Sequence, residues 1–165
     1  VICSLFLYTG CSMVISTTSE YDRFEEFTWY KTFALYDGSN LPDNALNKYP
    51  QLREYIDEVV RKVMVEKGFT HRETGDTDFV VYTYGVLTEV GQTFRGVSYS
   101  HRGPTVELTQ GSLVIDVVNT MDKENKKLTW RGRGVRLVDE ITDTENQRKR
   151  LQKNITKILA DFPPN

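Results

Sequence analysis

Two one-sided helices, separated by a long stretch rich in β-forming residues, limit this chain to a small number of folds. Residues 50–67 carry apolar side chains at helical spacing, and Gly68 follows the last of them. Residues 142–162 predict a second helix. It begins with a capping box, TDTE (142–145), and then carries apolar side chains at helical spacing. The stripes contain Leu52, Ile56, Val59 and Val63 in the first helix and Leu151, Ile155, Ile158, Leu159 and Phe162 in the second. Each stripe needs a second layer to cover it.

The β-rich segments supply that layer. Residues 30–36 and 78–87 are dense in aromatic and β-branched side chains, which favour strands. LVIDVV (113–118) and KLTWR (127–131) flank a polar segment and predict a β-hairpin, and residues 97–100 predict an edge strand. The chain is therefore expected to have an α+β fold. It is a two-layer sandwich in which a mostly antiparallel, mixed sheet of about five strands carries both helices on one face.

Details of the hairpin's second arm can also be predicted. Alternation places Leu128 and Trp130 on one face of the strand and Arg131 on the other. Gly132 and Gly134 weaken a strand interior, and such glycines often mark a bulge or a close approach by another element.

Length, charge and cysteine content restrict the class of protein. A chain of 165 residues predicts one domain. Its 21 basic and 23 acidic residues give a net charge of −2, which argues against a nucleic-acid partner. Both cysteines, Cys3 and Cys11, lie in the first eleven residues, so the body of the chain has no thiol for a disulfide or a metal.

The beginning of the chain carries a targeting pattern. LFLYTGCS (5–12) is a short apolar run followed by small residues and a cysteine, the layout of a secretory signal and its cleavage site. The run is too short for a membrane span, which needs about 20 residues; a buried strand over residues 1–9 is the alternative. The pattern resembles the lipobox of bacterial lipoproteins, which implies acylation of Cys11. We therefore expect residues 1–10 to be a signal-peptide remnant, 11–23 a tether, and 24–165 one domain.

Sites for metal or covalent chemistry are not indicated. His71 and His101 are far apart in sequence, and the acidic neighbours of His71 predict a solvated loop. Those neighbours are Glu73, Asp76 and Asp78. No Gly-x-Ser-x-Gly elbow or phosphate-binding loop occurs. The sequence therefore predicts no catalytic residue, no metal and no cofactor.

One polar residue stands out in the hairpin. Asp116 lies within an apolar strand, and Arg131, Arg133 and Arg136 lie in or after the partner arm. A cross-strand ion pair on the solvent face is the simplest interpretation. A basic surface for an acidic partner or a lipid headgroup is the alternative.

Six segments together resemble the DUF4136 family of lipoproteins, from about residue 24 to residue 163. They are YKTF (30–33), EKGF (66–69), DFVV (78–81), GSLVIDVV (111–118), KLTWRG (127–132) and ILADFP (158–163). The resemblance implies a small α+β domain anchored to the outer membrane by lipid, palmitate included, on Cys11, with its body in the periplasm. The family has no established activity and defines no catalytic residue.

The leading hypothesis is a non-enzymatic, lipid-anchored envelope protein that binds a protein partner or supports assembly. The first alternative is a carrier whose sheet face away from the helices, or a gap between the layers, holds a small apolar or anionic ligand. The aromatic candidates for its lining are Tyr82, Tyr84, Phe94 and Tyr99. The second alternative is an uncharacterised hydrolase, which would need a cleft with converging titratable groups.

Overall fold

The computed structural model describes residues 16–36, 41, 44–73, 75–90, 108–138 and 145–164. This part of the chain forms one six-stranded sheet and two helices. The strands are β1 (Ser16–Tyr21), β2 (Thr32–Tyr36), β3 (Thr70–His71), β4 (Phe79–Val90), β5 (Leu108–Asn119) and β6 (Lys127–Val138). The helices are α1 (Pro50–Glu66) and α2 (Glu145–Ile158), with short 3₁₀ turns at Phe27–Trp29, Ala45–Lys48 and Leu159–Asp161.

The order of strands across the sheet is β1-β6-β5-β4-β2-β3. Strands β1, β6, β5 and β4 pair antiparallel, whereas β2 pairs parallel with both β4 and β3. The parallel pairs follow from α1, which carries the chain from β2 back to the same end of the sheet. The predicted mixed α+β sandwich is therefore confirmed, with six strands for the expected five. The strand predicted at 97–100 lies outside the described residues.

The core lies between the sheet and the two helices. The sheet contributes the fully buried side chains of Phe33, Phe79, Val81, Ile115, Val117 and Trp130. The helical side contributes Ile56, Val60, Met64, Ile155, Ile158 and Leu159, all fully buried. Phe162, directly after α2, packs its ring 5.2 Å from that of Trp130 and 5.8 Å from that of Phe79. Both predicted apolar stripes therefore cover one face of the sheet.

The first strand occupies part of the segment that was expected to be a tether. Residues 16–21 pair along β6, from Ser16 opposite Val135 to Tyr21 opposite Trp130. Its side chains are mostly polar because β1 is an edge strand and its pairing comes from backbone hydrogen bonds. A run of Ser and Thr without alternating apolar residues gave no strand signal.

A β-bulge corrects the predicted faces of the hairpin's second arm. Trp130 pairs with Val117 and is buried, whereas Leu128 pairs with the next residue, Val118, and is 43% exposed. The extra residue, Thr129, turns its hydroxyl toward the hydroxyl of Tyr30 at 3.0 Å. The prediction that Leu128 and Trp130 share a face is therefore wrong, because a bulge resets the two-residue alternation. Burial raises the pKa of Tyr30, whose hydroxyl also donates to Glu25.

The predicted solvated loop around His71 contains one structural carboxylate. Asp78 accepts hydrogen bonds from the backbone N–H groups of Lys31 and Thr32, at 2.9 and 2.7 Å, and from the Thr32 hydroxyl. Burial alone would raise the pKa of Asp78, but these hydrogen bonds hold it below its usual value. His71 packs its ring 5.2 Å from that of Phe33. Burial, with a contribution from Arg61, lowers its pKa.

Candidate functional site: the free face of the sheet

The sheet has a second face, opposite the helices, which we call the free face. Alternating side chains of four strands form two rows across it, because strand register places them side by side. The first row is Tyr82, Asp116, Arg131 and Glu20, on β4, β5, β6 and β1 in turn. The second row is Tyr84, Val114, Arg133 and Thr18. The free face is therefore polar at its centre and partly aromatic on the β4 side.

A groove of about 320 Å³ lies on this face, lined by residues of both rows and by Val86. Its apolar lining consists of Val114 and Val86 together with the ring of Tyr84. Its polar lining consists of Arg131, Arg133, Glu20 and Thr18. Val114 is only 5% exposed, although α1 and α2, the two described helices, pack on the opposite face. The residue lies at the floor of the groove, between its row neighbours Tyr84 and Arg133.

An ion pair gives the groove a fixed polar frame. Arg131 donates from Nε to Oδ1 of Asp116 and from Nη2 to Oδ2, both at 2.7 Å, and the Tyr84 hydroxyl donates to the same Oδ2 at 3.1 Å. These hydrogen bonds raise the pKa of Arg131 further above its usual value. Burial, and then the charge of Asp116, raise the pKa of Tyr84. The predicted cross-strand pair is confirmed, but Asp116 is only 8% exposed, so the pair is more buried than expected.

The second arginine of the groove is in a different situation. Arg133 is exposed, and its Nη2 donates to the hydroxyl of Ser112 at 3.1 Å. Within the described residues, no carboxylate forms an ion pair with Arg133. Its charge is therefore available to a bound molecule. The side chain of Arg136, the third predicted arginine, lies outside the described part of the chain.

The other predicted residues divide into two groups. Tyr82 lies on the free face, with its ring 4.5 Å from that of Tyr36. Cys11, Phe94, Tyr99 and His101 lie outside the described residues. Glu20 and Thr18, which line the groove, were missed because they fall in the segment interpreted as a tether. A prediction that residues 16–21 pair as an edge strand with the arginine-rich second arm of the hairpin would have identified them.

A second exposed feature lies where the β5–β6 turn meets residues 21–29. We call it the aromatic end; its exposed side chains are Tyr21, Phe24, Trp29, Met121 and Leu128. Phe24 is 95% exposed and Trp29 68%. The two segments are joined by a 2.9 Å hydrogen bond from Asp22 N–H to Thr129 C=O and by one from the Asn119 amide to Glu25. Such clusters of exposed apolar groups commonly mark contact surfaces.

The described residues contain neither a cluster of metal ligands nor a membrane-spanning helix. In that part of the chain, no group of three or more His, Cys, Asp or Glu side chains is placed to hold a metal ion. No helix there combines the length and the apolar character needed to cross a bilayer.

Residues 17–164 match DUF4136, a domain of unknown function, and the chain belongs to this family. No protein of curated function matches it significantly. Two similar solved structures support the fold. One is a PDZ domain protein from Parabacteroides distasonis, with a TM-score of 0.64 and 11% identity over 92% of this chain. The other is a PelC dodecamer from Paraburkholderia phytofirmans, with a TM-score of 0.52 and 11% identity, covering 89% of this chain and 96% of that one.

The present chain spans only 36% of the PDZ domain protein. At these identities the two likenesses establish a shared fold and nothing about activity.

Proposed function

We propose that this protein is a lipid-anchored binding module of the cell envelope that works without catalysis. In this proposal Cys11 carries the lipid, including palmitate, at the outer membrane, and the body faces the periplasm. The observation that carries the binding role is the asymmetry of the sheet. One face is sealed by two helices, and the other presents a groove with a polar frame already in place.

The groups on the free face support binding more than catalysis. Asp116 is the carboxylate behind the groove lining, and both of its oxygens are held by Arg131, which lines the groove. A carboxylate whose two oxygens both accept hydrogen bonds from a guanidinium is poorly placed to take a proton from a substrate. The described lining of the groove contains neither His nor Cys. These features favour the binding module over the hydrolase.

Anchoring by Cys11 is tested by replacing that residue. Cys11→Ala is expected to move the protein from the membrane fraction to the soluble periplasmic fraction and to abolish incorporation of labelled palmitate, because no acyl chain can then be attached. Cys3→Ala is the matched control, since Cys3 lies in the remnant that is removed, and it should leave both readouts unchanged. Density-gradient separation of the two membranes tests the outer-membrane assignment. Recovery of a correctly processed Cys11→Ala variant in the membrane fraction would contradict anchoring by Cys11.

A second form of the proposal is a carrier of a small ligand. It is favoured by the groove itself, because 320 Å³ is at the small end of the range for ligand pockets. The first form, a protein partner, is favoured by the aromatic end, where Phe24 and Trp29 are exposed. The two forms share the same anchor.

A further inference from the structure

We infer that the groove on the free face binds a small organic anion, and that Arg133 recognises its carboxylate or phosphate head. The inference rests on the carrier form of the proposed function and assigns it a ligand class and a recognition residue. The ligand consists of a charged head joined to a short apolar group.

The charged groups in and beside the groove are not all paired with one another. Arg131 and Asp116 neutralise each other through two hydrogen bonds. Glu20 lies opposite Arg131 in the strand register, and its charge contributes to the raised pKa of that arginine. Asp116 and Arg131 thus form one neutral pair, and Glu20 and Arg133 are the two remaining charged groups. Among the described residues, Arg133 is the cation of the groove without a carboxylate hydrogen-bond partner.

Strand register explains why Arg133 has no carboxylate partner. Its neighbours in the row are Val114 on β5 and Thr18 on β1, and both are uncharged. A guanidinium carries five N–H donors, and the bond to Ser112 uses one of them. That bond holds the side chain beside the groove while leaving donors free. The N–H donors of a guanidinium form a planar fork, and this geometry fits the two oxygens of a carboxylate or phosphate.

The rest of the groove determines what the head is attached to. Val114 forms the floor, and Val86 and the ring of Tyr84 form the wall on the β4 side. An apolar group lying there would shield Val86, which is 38% exposed, and the Tyr84 ring from water. The volume of about 320 Å³ limits the ligand to a small molecule.

The same geometry disfavours neutral and cationic ligands. A neutral apolar molecule filling the groove would displace water from Arg133 without replacing its hydrogen bonds, which is unfavourable. A cation would meet the guanidinium of Arg133, which has no carboxylate hydrogen-bond partner among the described residues. Glu20, at the β1 side, is the acidic residue in the described lining of the groove. Its partner in the strand register is Arg131.

The test is an NMR titration of the full chain carrying Cys11→Ala, which removes the lipid. The probes are hexanoate and hexyl phosphate, which share a short apolar chain but differ in the head, together with hexanol and inorganic phosphate. Saturable shifts of the Val114, Tyr84 and Arg133 signals are expected with at least one of the two six-carbon anions. Hexanol and inorganic phosphate should each bind weaker by a factor of roughly ten or more, because hexanol lacks the charged head and phosphate lacks the apolar chain. The stronger of the two anions identifies the head.

Variants assign the effect to Arg133. Arg133→Gln should weaken binding of the preferred anion by roughly tenfold or more, and Arg133→Lys, which keeps the charge but not the fork, should weaken it less. Arg23→Gln, an exposed arginine outside the groove, is the matched control and should bind normally. Unchanged amide spectra away from the groove verify that each variant is folded.

Three results would overturn the inference: no saturable shift with either six-carbon anion, equal binding of hexanol or inorganic phosphate, or unchanged binding in Arg133→Gln. None of these results would affect anchoring, because that role depends on Cys11 and is measured by fractionation.

Discussion

Replacement of Gly132 by alanine is expected to lower the free energy of unfolding by about 3 kcal/mol, at the upper end of typical overpacking effects. A Cβ atom at Gly132 would lie 2.3 Å from Cη2 of Trp130 and 2.7 Å from Cγ2 of Ile158. Both side chains are almost fully buried, so neither can move without disturbing the core. The glycine therefore allows α2 to pack against β6 through the Trp130 ring.

A matched glycine provides the control for this prediction. A Cβ atom at Gly85 would lie 3.2 Å from Cγ of Leu46, a close contact that a shift of a few tenths of an ångström relieves. Gly85→Ala is therefore expected to cost less than about 1 kcal/mol. Chemical denaturation of both variants measures the difference. Equal stability of Gly132→Ala and the parent protein would show that α2 does not approach β6 as closely as described.

Removal of Arg131 is expected to have the second-largest effect on stability. Arg131→Met keeps much of the side chain's apolar stem but leaves the Asp116 carboxylate, 8% exposed, with the Tyr84 hydroxyl as its one remaining described side-chain partner. Breaking a fully buried pair costs about 3–5 kcal/mol; here we expect about 2 kcal/mol, because the Arg131 side chain is 40% exposed and the pair is partly screened.

The reverse substitution should cost less, and the double variant should recover stability. Asp116→Val leaves Arg131 free to turn its charge toward water, so a loss of about 1 kcal/mol is expected. In Asp116→Val/Arg131→Met no buried charge remains unpaired, because Glu20 is exposed to water, and the double variant should be more stable than Arg131→Met alone. A double-mutant cycle measured by denaturant unfolding gives the coupling energy. Strictly additive losses would mean that the pair contributes nothing to the frame of the groove.

Sequence patterns predicted the layers of this fold because both helices and the central strands are amphipathic or apolar. The stripe from Leu52 to Val63 identified α1, and Gly68, at φ +96, ends it as its position predicted. The close approach expected at Gly132 is confirmed, although only the structure shows that Trp130 and Ile158 are the groups that approach.

Two features could not be predicted, for different physical reasons. Strand β1 is held by backbone hydrogen bonds to β6, and the polar side chains of residues 16–20 carry no alternation that would reveal it. The bulge at Thr129 adds one residue to β6 and reverses the faces beyond it, which moves Leu128 to the free face. A local sequence pattern cannot reveal either feature, because both depend on the partner strand.

The candidate site was only partly visible in the sequence for the same reason. Asp116 was conspicuous because a carboxylate is unusual in an apolar strand, and its pairing with Arg131 followed from the hairpin. The groove also requires Thr18 and Glu20, which reach it only because β1 adds to the edge of the sheet. Arg133 gained its importance from its uncharged row neighbours, which only the register reveals.

In-cell photocrosslinking from the two faces of the molecule decides whether the free face is the binding surface. A photoreactive amino acid in place of Thr18 would lie beside the groove, and the same group in place of Glu58 would lie on the solvent side of α1. Both positions are exposed. We predict a discrete adduct, small molecule or protein, from position 18 and none from position 58. Addition of Arg131→Met should diminish the adduct at position 18. An adduct from position 58 with none from position 18 would contradict a binding role for the free face.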